Sequence, residues 1–165
     1  MAGKFMFGTK TFEIINNGID IIKYSFVIGQ RASLRAKMSL SDNDTLIGHV
    51  GYFLALKNQS FLVDVFSELL KRDNNYHLVL IGDGALRQEI EKKVDGLGLK
   101  HKVTFTGNIN NVSDYLNAID LIVMPSLFEG LPLTLVEQQA NGLQCIVSDT
   151  ITKEADKTGN LRFIS

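Results

Sequence analysis

Two glutamates, Glu129 and Glu137, lie on either side of the start of a predicted helix and are suited to bind a polar ligand. Pro132 fits the first turn of that helix because its missing N–H is no loss there. Gly130 leaves the preceding loop uncrowded, so free backbone amides can face an anion such as a pyrophosphate. Pro132 to Glu137 covers roughly 7.5 Å at about 1.5 Å per residue. A carboxylate can accept hydrogen bonds from two hydroxyls of a sugar diol. One glutamate could therefore bind the hydroxyls of a group attached at one end of a diphosphate, and the other glutamate those of a group at the far end.

The same two glutamates also have a purely structural interpretation. Glu129 could complement the dipole of the helix, and Glu137 could be a solvated residue on its surface. Two glutamates at this separation often arise by chance, and in isolation the structural interpretation is favoured. Their position after the buried strand predicted at Leu121–Met124, followed by the bend Pro125-Ser126, favours a binding site.

Two further loops follow predicted strands and contain glycine. Gly51 and Lys57 follow the first strand; glycine lets a ligand approach the backbone, and a lysine beside a helix start can neutralise phosphate. A tight turn with a solvated lysine explains that pattern equally well. Gly82-Asp83-Gly84 follows the second strand, but Arg87 occupies the third glycine position of a dinucleotide fingerprint. As a sign of NAD binding this motif is weak, and a bend into a helix with Asp83 near its N-terminus explains it just as well.

Short β-rich runs alternate with amphipathic segments from Leu46 onward, and these elements must position the loops. Strands are predicted at Leu46–Tyr52, His77–Ile81, Lys102–Phe105, Leu121–Met124, Ile146–Ser148 and Leu161–Ile164. Helices are predicted at Asn58–Arg72, Ala85–Asp95, Val112–Ala118 and Pro132–Ala140, and earlier in the chain a helix at Arg31–Met38 and an edge strand at Phe12–Ile15. We therefore expect an α/β fold: a Rossmann-like, doubly wound, mostly parallel sheet of about six strands with helices on both faces. Ligands bind beyond the carboxyl ends of the strands of such a sheet.

Composition argues against several other classes of function. The chain has 165 residues and a net charge of -1, so there is no electrostatic footprint for nucleic acid or an anionic membrane. No apolar stretch approaches the ~20 residues needed to span a bilayer. The single cysteine, Cys145, excludes an intrachain disulfide and is expected to be a buried structural thiol in a cytoplasmic protein. The spacing of His49, His77 and His101 is not that of metal ligands, and each is expected to be a core or surface residue.

Taken together, these motifs resemble the donor-binding domain of the retaining family-4 glycosyltransferases, which have two facing Rossmann-like domains (the GT-B arrangement). The resemblance covers nearly the whole chain, and its pieces occur in the family's order. They are Asn16–Asp20, His49–Gly51 with Lys57-Asn58, Leu80–Gly84 with Leu86, Val103–Gly107, Asp120–Ser126 and the paired-glutamate motif Glu129–Glu137. Any one of these pieces is modest, but all of them in register are highly specific.

The resemblance implies a role for each matching residue. Glu129 would hold the donor sugar, and Lys57 would neutralise the diphosphate; these two are the expected catalytic residues. Glu137 would hold the ribose hydroxyls. The expected donor-binding set is Gly51, Gly82, Gly107, Asn108, Asn110, Gly130, Leu131, Leu133, Thr134 and Glu137. Amides from 130 to 133 would face the diphosphate, and the loop from 108 to 111 would lie against the base. The family needs no metal or other cofactor, its commoner donor is a UDP-sugar, and positive charge and helix amides stabilise the leaving diphosphate.

Three features set this chain apart from the family pattern. Tyr52 stands where the family usually has arginine, so one cation that would neutralise phosphate is absent. Residues 1–45 are expected to lead in from a missing acceptor-binding domain, and residues 46–165 to form the nucleotide-sugar-binding domain, truncated at its C-terminus. We therefore expect the donor half of a hexosyltransferase for cell-surface polysaccharide, inactive on its own. The alternatives are a sugar-nucleotide epimerase of the same architecture, or a non-catalytic nucleotide-binding or regulatory domain.

Overall fold

The computed structural model describes residues 17–165, so the edge strand predicted at residues 12–15 lies outside the described residues. The α-helices are α1 (Ile21–Tyr24), α2 (Ile28–Lys37), α3 (Gln59–Leu70), α4 (Arg87–Gly96), α5 (Val112–Ala118) and α6 (Leu133–Ala140). The strands are β1 (Thr45–Val50), β2 (Tyr76–Ile81), β3 (Val103–Gly107), β4 (Leu121–Met124), β5 (Gln144–Ser148) and β6 (Leu161–Ile164). Two short 3₁₀ helices span Ala55–Lys57 and Lys153–Ala155.

The six strands form one sheet in the order β3-β2-β1-β4-β5-β6, and every neighbouring pair is parallel. This arrangement confirms the predicted doubly wound fold. The chain runs outward from β1 in one direction and returns to start again with β4. The direction of winding therefore reverses between β1 and β4, and such a switch point opens a crevice at the carboxyl ends of the strands.

The two faces of the sheet bury separate apolar cores, because alternate residues of a strand point to opposite faces. Leu46 and Val50 of β1 belong to a core that includes Leu116 of α5 and Leu135 of α6. Ile47, between them in sequence, belongs to a second core against residues of α3 and α4. Helices therefore cover both faces of the sheet, as the sequence predicted. Cys145 is buried in the first core, and burial raises the pKa of its thiol to about 12.

Most predicted elements are confirmed, and three of them (α5, β4 and β6) match residue for residue. The strand β1 ends at Val50 instead of Tyr52, because the next two residues enter a loop in which the Gly51 amide donates to Ile81 O at 2.9 Å. The helix α4 begins at Arg87, two residues later than predicted. The amide of Leu86 instead donates to Phe53 O at 3.1 Å and holds the preceding segment against the neighbouring loop.

The segment before β1 packs against the rest of the domain through buried polar contacts. Arg31 and Arg35 of α2 bind the carboxylate of Asp120 at 2.5 and 2.9 Å, and the amide of Leu46 donates to the same carboxylate at 2.8 Å. Burial alone would raise the pKa of Asp120, but these hydrogen bonds and the two guanidinium groups lower it below its usual range. The side chain of Asn141 in turn donates to Tyr24 O at 3.0 Å, which holds α1 in place.

Candidate functional site

A cleft of about 210 Å³ opens at the carboxyl ends of β1, β2 and β3. It is lined by Val50, Gly51, Tyr52, Ile81, Gly82, Asp83, Gly107, Asn108, Ile109, Val112 and Thr134. Five of the predicted donor-binding residues, namely Gly51, Gly82, Gly107, Asn108 and Thr134, therefore meet around one cavity. The cleft lies where a parallel sheet of this topology binds its ligands.

Glycines form one wall of this cleft because the loops are too close together for side chains. Gly82 has a φ of 132°, and a Cβ there would clash with the carbonyl oxygen of Gly51. Gly107 has a φ of 69°, in the left-handed region that favours glycine, and its carbonyl accepts a hydrogen bond from the Gly82 amide at 3.1 Å. Local packing therefore requires Gly82 and Gly107, and the result is a cleft whose base is backbone.

The two predicted catalytic residues are in direct contact. Lys57 Nζ lies 2.5 Å from Glu129 Oε1, and their side chains are only 20% and 13% exposed. The loops that carry them are joined as well, since the Leu127 amide donates to Leu56 O at 2.8 Å and the Asn58 side chain donates to Pro125 O at 3.2 Å. Lys57 is therefore a half-buried, paired cation and not the solvated lysine that the sequence also allowed.

The N-terminus of α6 follows this ion pair in the chain. Pro132 precedes the helix with an extended backbone, so the helix begins one residue later than predicted, at Leu133. Within the described residues, no side chain caps this end of α6. The space beside Gly130, where a side chain would stand, is empty to 4 Å. The amides of Leu133 and Thr134 have no backbone acceptor among the described residues, whereas that of Leu135 donates to Pro132 O at 3.0 Å. The uncapped start of the helix is therefore suited to receive an anion.

The remaining predicted residues do not line the cleft. Leu131 packs against the first core, whereas Leu133 and Asn110 are exposed. Glu137 is half-buried and lies against Tyr24 of α1, a residue that the sequence did not mark. Burial, followed by the hydrogen bond and the charge of Glu137, raises the pKa of the Tyr24 hydroxyl to about 12. Glu137 is therefore not simply a solvated helix residue, and α1 contributes to its surroundings.

His49 is a second residue near the site that the sequence did not mark as functional. Its ring is fully buried, and Nδ1 lies 2.9 Å from Val123 O. Its Nε2 has no hydrogen-bond partner among the described residues and faces Gly51. Burial is the main cause that lowers the pKa of His49 to about 4; nearby Lys57 acts in the same direction, and the bond to Val123 and the charge of Glu129 oppose it. The signal in the sequence was its position two residues before Gly51, at the end of a strand that leads into the cleft.

Other kinds of site find little support in the described part of the chain. Among residues 17–165, no group of three or more His, Cys, Asp or Glu side chains is arranged to hold a metal ion. None of the helices described is both long and apolar enough to cross a membrane.

The fold and the cleft define a doubly wound, Rossmann-like α/β domain. Residues 30–156 match the family model of the glycosyl transferases group 1, and the chain belongs to that family. It is 39% identical over 161 residues to "Putative glycosyltransferase EpsF" of Bacillus subtilis (strain 168). The aligned region covers 94% of this chain and 42% of the relative. It is also 30% identical over 139 residues to "Vi polysaccharide biosynthesis protein VipC/TviE" of Salmonella typhi, covering 83% of this chain and 24% of that protein.

Solved structures share the same fold. The chain superposes with a TM-score of 0.82 on Anabaena Alr3699/HepE, a protein crystallised with UDP and glucose, at 22% identity over 93% of this chain and 43% of that one. It superposes with a TM-score of 0.74 on the C-terminal domain of the glycosyl transferase group 1 protein LpcC from Francisella tularensis, at 22% identity over 88% of this chain and 80% of that domain. The chain thus spans less than half the length of the curated relatives it matches.

Proposed function

We propose that this chain is the nucleotide-sugar donor-binding domain of a retaining, metal-independent family-4 glycosyltransferase. The observation that carries the proposal is the half-buried Lys57–Glu129 pair at the sheet's carboxyl edge, in a chain of the glycosyl transferases group 1 family. A diphosphate needs positive charge, and a sugar needs a carboxylate acceptor for its hydroxyls. The pair offers both groups side by side.

In this proposal the residues divide into three functions. Lys57 and the first-turn amides of α6, at Leu133 and Thr134, bind the diphosphate, and Gly130 and Leu131 give it a clear approach. Glu129 binds the donor sugar, and Glu137 binds the ribose. The base lies in the cleft, against Gly51, Gly82, Gly107 and Asn108, and Asn110 lies further along the same loop, outside the cleft. UDP is the nucleotide we favour, because HepE, which shares the fold, was crystallised with UDP and glucose.

The reaction we propose needs electrostatic stabilisation from the protein. The bond between the anomeric carbon of the sugar and the diphosphate oxygen breaks, and its electron pair leaves with the diphosphate. The oxygen of an acceptor hydroxyl then bonds to that carbon, and its proton passes to the departing diphosphate oxygen. Lys57 and the amides of α6 stabilise the negative charge that develops on the leaving group, which is where preorganised donors have their largest effect. Tyr52, 64% exposed on the cleft wall, adds no positive charge there.

The acceptor-binding part of the enzyme is inferred from the greater length of the relatives. The relatives are more than twice as long as this chain, so we propose that catalysis uses a separate acceptor-binding domain. Residues 46–165 would then be the donor-binding unit, and the residues before them would lead in from that domain. The name of the Vi polysaccharide biosynthesis protein supports a role in polysaccharide synthesis. We propose that the enzyme is a cytoplasmic hexosyltransferase that serves cell-surface polysaccharide.

Calorimetric titration with UDP, UDP-sugars and GDP-sugars tests the proposal. We expect the chain to bind UDP and at least one UDP-sugar, without releasing free sugar or transferring it. Glu137→Ala should weaken this binding, whereas Glu68→Ala on the exposed surface of α3 should not. The proposal is wrong if the chain binds no nucleotide, or if Glu137→Ala binds as well as the wild type. Epimerisation of the sugar, followed by NMR, would instead indicate an epimerase.

A further inference from the structure

The buried imidazole of His49 has a polar atom that the fold leaves unused. A backbone carbonyl can only accept a hydrogen bond, so Nδ1 must carry the proton that it donates to Val123 O at 2.9 Å. In the neutral ring Nε2 then holds a lone pair and can only accept. Nε2 is buried and has no partner among residues 17–165. A buried acceptor without a donor is costly, which favours a donor that arrives in another state of the protein.

A gap beside Gly51 separates this lone pair from Lys57. The point where a Gly51 side chain would begin lies 3.3 Å from His49 Nε2, and 3.5 and 3.6 Å from Cδ and Cε of Lys57. We call this space the Gly51 gap. Since glycine occupies position 51, no side chain of that residue stands between the imidazole and the lysine stem. Even a single methyl group there would be in tight contact with Nε2.

Lys57 has donors to spare. Its ammonium carries three N–H groups, and among the described residues it makes one hydrogen bond, to Glu129 Oε1. A carboxylate partner cancels much of the positive charge that a diphosphate would feel. A neutral imidazole can hold the same ammonium without cancelling its charge. The histidine stays neutral because burial lowers its pKa to about 4.

We propose that His49 is a positioning residue of the donor site, whose Nε2 accepts a hydrogen bond from the Lys57 ammonium across the Gly51 gap. The proposal rests on the proposed function. When a diphosphate binds and draws Lys57 away from the Glu129 carboxylate, His49 gives the ammonium a second partner that directs its charge toward the diphosphate. Lys57 thus has a carboxylate partner in the empty site and an imidazole partner in the loaded one.

Two substitutions of His49 separate this role from a structural one. The amide nitrogen of Asn can replace Nδ1 and keep the bond to Val123, but Asn has no atom at the position of Nε2. The longer Gln can place its amide oxygen near the position of Nε2. For UDP measured by calorimetry, we expect His49→Asn to weaken binding about tenfold, the size of one hydrogen bond to a charged group. His49→Gln should stay within about threefold of the wild type by the same reasoning.

Two controls complete the experiment. Uridine lacks phosphate, so its binding, followed by ligand-observed NMR, should be the same for His49→Asn and the wild type. In a Lys57→Met background, His49→Asn should cause no further loss of UDP affinity. Gly51→Ala offers a second route if the His49 variants do not fold. It fills the Gly51 gap but leaves the Val123 bond intact, and the part of its effect on UDP that uridine does not share should vanish with Lys57→Met.

Several outcomes would overturn the inference. One is that His49→Asn binds UDP as tightly as the wild type. Another is that His49→Asn weakens the binding of UDP and of uridine equally, which would indicate a purely structural role. A His49→Gln variant as weak as His49→Asn would contradict it too. If the wild type itself binds no UDP, the proposed function fails and this inference fails with it. If the wild type binds and only the His49 effects are missing, the proposed function stands alone.

Discussion

Two ion pairs at opposite ends of the sheet show how differently this fold uses charge. At the amino end, Asp120 accepts from Arg31 with one oxygen, and from Arg35 and the Leu46 amide with the other. At the carboxyl end, Glu129 accepts from Lys57 with one oxygen, and no further partner of either side chain is found in residues 17–165. Both pairs are partly buried. Both oxygens of Asp120 have partners, whereas Glu129 and Lys57 keep an acceptor and donors that no described residue uses.

This difference distinguishes a cluster that stabilises the fold, around Asp120, from a pair that can bind a ligand, Lys57 with Glu129. A buried ionic group with all its partners holds a structure together and has nothing left for a ligand. A buried ionic group with free bonding capacity is costly in the empty protein, and a ligand that completes it removes that cost. The Asp120 cluster is therefore expected to act on stability, and the Lys57–Glu129 pair on binding.

The largest effect that we predict is the loss of stability when the Asp120 cluster is disrupted. Asp120→Ala leaves the buried guanidinium of Arg35 without a carboxylate, and removing one partner of such a pair costs about 3 kcal/mol of unfolding free energy. Urea denaturation followed by circular dichroism measures this change. The exposed pair of Lys71 with Glu68 is the control, and Glu68→Ala should leave stability unchanged. Weaker UDP binding by the folded Asp120→Ala protein would contradict the division between the two ends.

Removing the cation at the other end should act on binding instead. We expect Lys57→Met to weaken UDP binding by about tenfold to a hundredfold, since a charge-assisted hydrogen bond to phosphate is lost. Its unfolding free energy should fall less than that of Asp120→Ala. Lys93 is a matched control, because it binds Asp64 and is 27% exposed, but lies on α4 outside the cleft. If Lys93→Met weakened UDP binding as much, the effect would not come from the site.

The sequence predicted the order of the elements because each follows from periodicity and local breakers. The strand at Leu121–Met124 is buried and short, and nothing beyond its own residues was needed to find it. The loops that follow these strands could be expected to lie near one another, because the topology of a parallel sheet brings the carboxyl ends of its strands together. Lys57 and Glu129 were predicted to serve one ligand and are in contact.

What the sequence did not predict depends on contacts between distant segments. His49 was expected to be an ordinary core or surface histidine, and its bond to Val123 spans 74 residues. The contact of Tyr24 with Glu137 depends on how α1 packs against α6, which no local pattern indicates. Gly82 was ambiguous because the Gly51 carbonyl that excludes a side chain there lies in another loop.

The two ends of the sheet should also lose stability in different ranges of pH. The pKa of His49 is lowered from 6.5 to about 4 in the folded protein. On acidification the unfolded chain therefore binds a proton at His49 at a higher pH than the folded protein does, and the free energy of unfolding falls as pH drops from 6.5 towards 4. The slope is about 1.4 kcal/mol per pH unit at most. The pKa of Asp120 is lowered from 3.8, so its contribution is present above 3.8 and is lost only at lower pH.

Denaturation at a series of pH values tests this separation. Relative to the wild type, His49→Gln should lose less stability between pH 6.5 and 4, since the group that takes up a proton on unfolding is gone. Asp120→Asn should instead reduce the dependence on pH below 3.8. Equal slopes for His49→Gln and the wild type above pH 4 would mean that the buried imidazole is already charged in the folded protein.

The smallest effect we predict is a gain of binding at the carboxyl end. Tyr52 is 64% exposed on the wall of the cleft and has no charge to offer a diphosphate. Tyr52→Arg should tighten UDP binding about threefold, because a solvated ion pair contributes less than about 1 kcal/mol. Tyr52→Gln, of similar reach but neutral, is the control. The gain should shrink in high salt, which screens exposed charges. A gain that persists at high salt, or that Tyr52→Gln shares, would mean that the tyrosine obstructs the cleft and that charge is not limiting there.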